Sequence, residues 1–194
     1  MERETLQEEL IVAKKKSAKP MLWISMISMV MFFAGLTSAY VISMERDDWV
    51  TFDLPNAFFI STILIVTSSL TIFISQKLIK SNKRELSIAF LIATLALGIA
   101  FVWQQYVGFL ELKEAGLFFT GPGSTVSTSF IIGITLMHVL HIAAGIIVLL
   151  VVIYNHFKYK YKSDDLLGFE LGAIFWHFVD VLWIYLFFFF YFIR

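Results

Sequence analysis

The chain has 194 residues; 59% are hydrophobic and only 15% are charged, against roughly 25% charged in an average soluble domain. Fifteen Lys and Arg balance fifteen Asp and Glu, and the mean hydropathy is +0.81. These values exclude a soluble enzyme, a disordered chain and a nucleic-acid binder, which needs a basic surplus; with no cysteine, disulfides, thiolate metal sites, iron–sulfur ligation and c-type haem attachment are excluded too.

Residues 1–20 form a charged arm before the first apolar run. Leu6, Leu10 and Ala13 recur at helical spacing beside Lys14–Lys16, which fits a helix on the inner leaflet and equally a solvated basic arm. Five runs then follow at about 21–43, 56–76, 86–110, 126–154 and 171–193. Each exceeds the ~20 residues that cross a hydrocarbon core of about 30 Å as a helix. Of the 30 Asp, Glu, Lys and Arg residues, only Asp180 lies inside a run. No apolar/polar alternation suggests barrel strands. The expected fold is therefore all-α, a polytopic bundle of five transmembrane helices forming one domain over 21–194. The first run is too long and too late for a cleaved signal segment and reads as a mature span.

Orientation follows from the basic residues. The arm (Arg3, Lys14, Lys15, Lys16, Lys19), the 77–85 loop (Lys77, Lys80, Lys83, Arg84) and the 155–170 loop (Lys158, Lys160, Lys162) alternate with segments holding only Arg46, Lys113 and Arg194. The positive-inside rule predicts a cytoplasmic N-terminus and a periplasmic C-terminus, the opposite ends that five spans require. Trp23, Tyr40, Trp49, Trp103, Tyr106, Tyr154, Trp176 and Tyr191 fall near predicted span ends, where interfacial anchors belong. Gly121-Pro122-Gly123 reads as a turn in an outer loop whose Leu117, Phe118 and Phe119 dip into the interface or meet a partner. Ala34/Ser38, Gly35/Ala39, Ala96/Ala100 and Gly168/Gly172 are small pairs four apart, a spacing that allows close helix approach.

Polar residues within the spans carry the functional signal. At about 1.5 Å per residue, Asp180 falls near the midplane of span five, with His177 one turn earlier on the same face. His138 and His141, also three apart, fall at the same depth on the antiparallel span four. The economical expectation is that the two pairs face each other and satisfy one another's hydrogen bonds. Glu170 lies about 15 Å inward of Asp180. Such a cluster suits a structural network, proton or substrate handling, a bis-histidine haem using His138 or His141 with His177, or a His₂Asp metal site. Gln104-Gln105-Tyr106 reads as a cross-helix hydrogen-bonding group or an interfacial cap.

Two stretches carry a family resemblance. Gly168-Phe169-Glu170 with Trp176-His177-Phe178-Val179-Asp180-Val181-Leu182-Trp183 resembles the C-terminal signature of cytochrome c oxidase subunit III. Ser127-Thr128-Ser129-Phe130, followed by His138-Val139-Leu140-His141-Ile142-Ala143-Ala144-Gly145, is similar to that family's S-T-F segment and HxxH…G helix, and Phe32-Phe33-Ala34-Gly35 matches a run in its first core helix. The likeness is specific over 126–185 and collinear but weaker over 21–110. It resembles the five-helix bacterial form of a family that commonly has seven helices.

The resemblance implies a non-redox subunit of a haem–copper oxidase that oxidises cytochrome c, reduces dioxygen to water and pumps protons, in a bacterial cytoplasmic membrane. It implies no catalytic, cofactor or metal site on this chain. Haem and copper belong to partner subunits, subunit I as the main contact and subunit II, with bound phospholipid and a larger respiratory assembly as further partners and no nucleic acid. The residues carried over are His138, His141, His177, Asp180 and Glu170. Met29 stands where many members have a glutamate, and Gln105 is followed by Tyr106, Val107 and Gly108 rather than the family's Q-x-x-E, so roles resting on those acids do not transfer. The alternatives are subunit III of a quinol oxidase, a nitric oxide reductase accessory protein and, in a different class, a haem-b electron carrier.

Overall fold

In the computed structural model, residues 2–121, 124–161 and 166–193 are described, with side chains from Val12 onward. Five helices follow in order: α1 (Glu2–Ser43), α2 (Asn56–Lys80), α3 (Arg84–Glu114), α4 (Val126–Phe157) and α5 (Leu167–Phe192). All five are long and apolar enough to cross a membrane, and no strand accompanies them among the described residues. The chain is therefore an all-α multi-pass membrane protein. Pro122, Gly123, Lys162, Arg194 and the side chains of Leu6 and Leu10, all read above, lie outside the described residues.

The helices overrun the predicted spans. α1 is continuous through Pro20 for 42 residues, about 63 Å of helix against a core of about 30 Å. Backbone hydrogen bonding does not stop where hydrophobicity does, so the arm and the first span are one element. The other ends have specific closures. Ala57 N–H, at the start of α2, reaches the Glu111 carboxylate of α3 at 3.5 Å, an acid where the helix dipole favours one. Thr125 caps α4, its hydroxyl accepting from Thr128 N–H at 3.2 Å.

At their far ends α2, α3 and α4 each finish on a residue with positive φ: Asn82 (61°), Gly116 (77°) and Tyr159 (57°). Each supports a paired closure: Lys83 N–H bonds Leu78 O, Leu117 N–H bonds Leu112 O, and Lys160 N–H bonds Asn155 O. Tyrosine rarely adopts this backbone conformation. Here the Arg84 guanidinium lies 4.0 Å from the Tyr159 ring centroid and donates to the carbonyls of His156 and Tyr161, so a side chain from α3 clasps the end of α4.

α2 and α3 make the most extensive helix contact. The buried positions of α2 include Ser61, Ile65, Ser68, Ile72, Ser75 and Ile79; those of α3 include Ser87, Leu91, Thr94, Gly98, Phe101, Gln105 and Gly108. Both series step alternately by four and three, the knobs-into-holes spacing. Small residues at every second step of α2, and Ser87, Thr94, Gly98 and Gly108 on α3, let the backbones close, and hydroxyls bond across the seam: Ser75 to Ser87 at 3.0 Å and the adjacent Thr71 to Thr94 at 2.8 Å.

α5 packs against α1, α2 and α4 and forms the centre of the bundle. Trp176, fully buried, is wedged between Gly98 of α3 and Gly145 of α4 and donates from Nε1 to Ser68 of α2 at 2.9 Å. Trp176 and the equally enclosed Tyr40 are thus core residues rather than the interfacial anchors expected. Trp23, Trp103, Tyr106 and Tyr154 are exposed. Of the small pairs expected, Gly168 and Gly172 are pressed by Tyr161 and by Val152, whereas Gly35 faces open space; Gly98, Gly108 and Gly145, pressed by Trp176 and Phe58, were not among them.

Candidate functional site

The polar residues on α4 and α5 do not form the mutually satisfied knot that their common depth suggests. His138 is completely buried and neither ring nitrogen has a hydrogen-bond partner. Its ring lies 5.2 Å from Trp183, 5.9 Å from Phe101 and 6.4 Å from Phe33. His141, one turn on, packs against Phe33 at 5.5 Å and bonds from Nδ1 to its own helix, at Met137 O, 2.7 Å away.

On α5, His177 Nδ1 meets the Ser69 hydroxyl of α2 at 2.6 Å. The same hydroxyl lies beside the Asp180 carboxyl, whose two oxygens make no well-formed hydrogen bond. The correction has a geometric cause. Equal depth fixes height in the bilayer, but packing fixes the direction around each helix axis. α5 turns this face toward α2, while α4 offers His138 to an aromatic cage and His141 to α1.

Glu170 is separate from this group. Its carboxylate bonds Lys19 Nζ at 2.8 Å and lies 3.7 Å from Lys80 Nζ. It thus ties α1, α2 and α5 together at the end of the bundle where α5 begins.

Sequence reasoning missed Ser69 and the hydroxyls that receive the two indoles. Trp183 donates to Thr62 at 3.0 Å, and Gln105 donates to Ser61 at 2.9 Å, the cross-helix bond expected of that segment. Ser68 was signalled by Ser61, Ser68 and Ser75, seven residues apart on one face of α2, whereas Ser69 and Thr62 lie outside that series.

The arrangement offers little covalent chemistry. Ser69, His177 and Asp180 have the residue types of a hydrolase triad, but a triad needs the carboxylate on the far nitrogen of the imidazole. Here Asp180 lies beside the serine. Among the described residues no group of three or more His, Asp or Glu side chains is placed to hold a metal ion. His138 packs against Trp183, Phe101 and Phe33, His141 against Phe33, and His177 against Ser69 of α2, so the imidazoles considered for a bis-histidine haem sit in different surroundings.

An apolar groove of about 330 Å³ runs between α1 and α5, lined by Val30, Phe33 and Ala34 on one side and Phe178, Val181 and Leu182 on the other. A more polar hollow of about 480 Å³ lies at the start of α4 beside Asp48, Ser124, Thr125 and Ser129. The Arg46 guanidinium, 2.8 Å from Asp48, holds that carboxyl below its ordinary range.

Fold and site together define a multi-pass helical membrane protein whose interior is closed by buried indoles and serine hydroxyls. Residues 2–194 match the family model for cytochrome c oxidase subunit III, and the chain belongs to that family. Among curated proteins it is 33% identical over 136 residues to cytochrome c oxidase subunit 3 of Pyricularia grisea, covering 70% of this chain and 47% of that protein. It is 33% identical over 128 residues to the Allomyces macrogynus protein of that name, covering 66% and 44%. With the Spodoptera frugiperda protein of that name it shares 30% over 128 residues, covering 66% and 83%. The match spans about half the length of the first two. Family membership replaces the haem-b carrier reading, and the family name places the chain with the respiratory oxidases and electron transport.

Proposed function

We propose that the chain is a non-redox subunit of an aerobic cytochrome c oxidase in a bacterial cytoplasmic membrane, its N-terminus in the cytoplasm and its C-terminus in the periplasm. Haem and copper reside in subunits I and II of that assembly, which oxidise cytochrome c, reduce dioxygen to water and move protons. This chain covers and steadies subunit I and assists proton uptake.

The observation that carries this reading is the filled interior at the level of the polar residues. Trp176 and Trp183 are fully buried there, each indole N–H bonded to a hydroxyl of α2. A bundle so closed contributes rigidity and surface rather than a reaction chamber. Its basic residues lie mainly on one side of the predicted spans, which supports the orientation. The cluster of Glu170, Lys19 and Lys80 lies on that side and supports a place at the proton-entry surface. The apolar groove between α1 and α5 supports a phospholipid acyl chain as ligand.

Affinity purification through a tag on this chain tests the reading. The purified assembly is expected to show haem bands from partner subunits and to oxidise reduced cytochrome c in preference to quinol. The isolated chain is expected to be colourless. Removing it is expected to shorten the catalytic lifetime of the remaining complex. A stoichiometric haem spectrum on the isolated chain, or purification free of any haem protein, would refute it.

A further inference from the structure

We propose that the α1/α4 face around His141 is a protein interface, and that its partner is a transmembrane helix carrying a hydrogen-bond donor at mid-bilayer depth. The inference rests on the subunit reading in one respect: it expects that helix within the oxidase assembly.

His141 stands midway along the 32-residue α4, roughly 23 Å of helix from either end. Its Nδ1 lies 2.7 Å from Met137 O. A carbonyl can only accept, so Nδ1 carries the hydrogen, and in that tautomer Nε2 keeps a lone pair. That nitrogen has no hydrogen bond among the described residues, and it is not enclosed in the bundle as both nitrogens of His138 are. One side of the ring rests on Phe33. Exposed side chains within one turn of His141 on α4 include Met137 and Leu140, and Phe32 is exposed beside Phe33 on α1; none of these carries a donor.

Some other polar side chains on exposed helix faces are satisfied without a partner. Ser25, Ser28 and Thr67 each donate to the carbonyl four residues earlier, at 3.0, 3.0 and 2.8 Å, and can face hydrocarbon. The Nε2 lone pair of His141 has no such resort, because its own helix has no free N–H at this level. Acyl chains offer no donor, and lipid headgroups lie about 15 Å away at the edge of a 30 Å core. Only another polypeptide brings a hydroxyl, amide or indole donor to this depth, and a spanning helix is the form in which it can do so.

A photoactivatable benzophenone side chain at Leu140, in native membranes, tests the assignment, with the same probe at the exposed Ile63 of α2 for comparison. The Leu140 probe is expected to join a transmembrane segment of a partner subunit that has Ser, Thr, Tyr, Trp, Asn or Gln within one turn of the adduct. His141→Phe keeps the ring but removes the acceptor, and is expected to lower retention in the detergent-extracted complex about tenfold, the scale of one lost hydrogen bond. His141→Gln restores an acceptor and is expected to recover most of it. Adducts to lipid alone, adducts to a segment lacking a donor, or full retention of His141→Phe would each overturn the inference. Should no haem-containing partner co-purify, the subunit reading fails, while a Leu140 adduct to a donor-bearing helix of another protein would still uphold the interface.

Discussion

The contact between Gly98 and Trp176 gives the sharpest prediction. In Gly98→Ala, the new methyl would lie 2.7 Å from Trp176 Cη2 and 2.9 Å from Cζ2. Carbon atoms prefer about 3.5–4.0 Å, so the ring or a helix must shift by roughly 0.8 Å or more. The ring cannot retreat easily. On its other side a methyl at Gly145 would already lie 3.1 Å away, so the α4 backbone is close, and the Nε1 bond to Ser68 fixes the remaining direction. Overpacking of this kind costs about 1–3 kcal/mol. Alanine gains up to about 1 kcal/mol over glycine in helix propensity, so the net expectation is a loss of roughly 0–2 kcal/mol. The decisive quantity is the coupling. Trp176→Phe removes the two atoms that the methyl strikes, so adding Gly98→Ala to it should be neutral or favourable. Unfolding free energies of the four proteins in mixed micelles should therefore give a coupling of about 1–3 kcal/mol. Additive losses, within about 0.5 kcal/mol, would refute the wedge.

Four other substitutions probe the remaining contacts. Ser69→Ala strands His177 Nδ1 and should cost about 1–3 kcal/mol in the same assay. Asp180→Leu replaces a carboxyl without hydrogen bonds by an apolar side chain of similar size and should be neutral or stabilising; a large loss would restore the network picture. Arg84→Ala frees two carbonyls and the Tyr159 ring, and trypsin should then cut at Lys158 and Lys160 faster than in wild type; an unchanged rate would dismiss the clasp. Burial raises the Tyr161 phenol above its ordinary value, opposed by a bond to Asn155. A raised folded-state value favours the protonated form, so this stabilisation is complete below about pH 10 and is lost at higher pH as the phenol ionises. Tyr161→Phe should remove that alkaline loss, measured by thermal melting from pH 9 to 11.

Much of the molecule was legible in the sequence, for one physical reason. Hydrocarbon admits few charges and no unpaired backbone, so five uncharged stretches of sufficient length become five helices without help from packing. The same logic singled out Asp180 as the lone charged-type residue within the runs, and placed His138 and His141 level with it. The motifs around Trp176–Trp183 and His138–Gly145 identified the family because they are specific strings, whatever they contact.

The contacts themselves were another matter. Sequence spacing gives depth along a helix, not the direction in which a neighbour lies. The knot expected between α4 and α5 became a Ser69–His177 bond toward α2, an aromatic cage around His138 and an outward-facing acceptor on His141. Trp176, placed at a span end by position, is a core wedge because glycines of α3 and α4 leave room for it, and Tyr40, placed likewise, is enclosed by the rings of Trp49, Phe130, Phe189 and Phe190. Hydrophobicity decided which segments enter the membrane; only the interlocking of small and large side chains, a property of several helices at once, decided which faces meet.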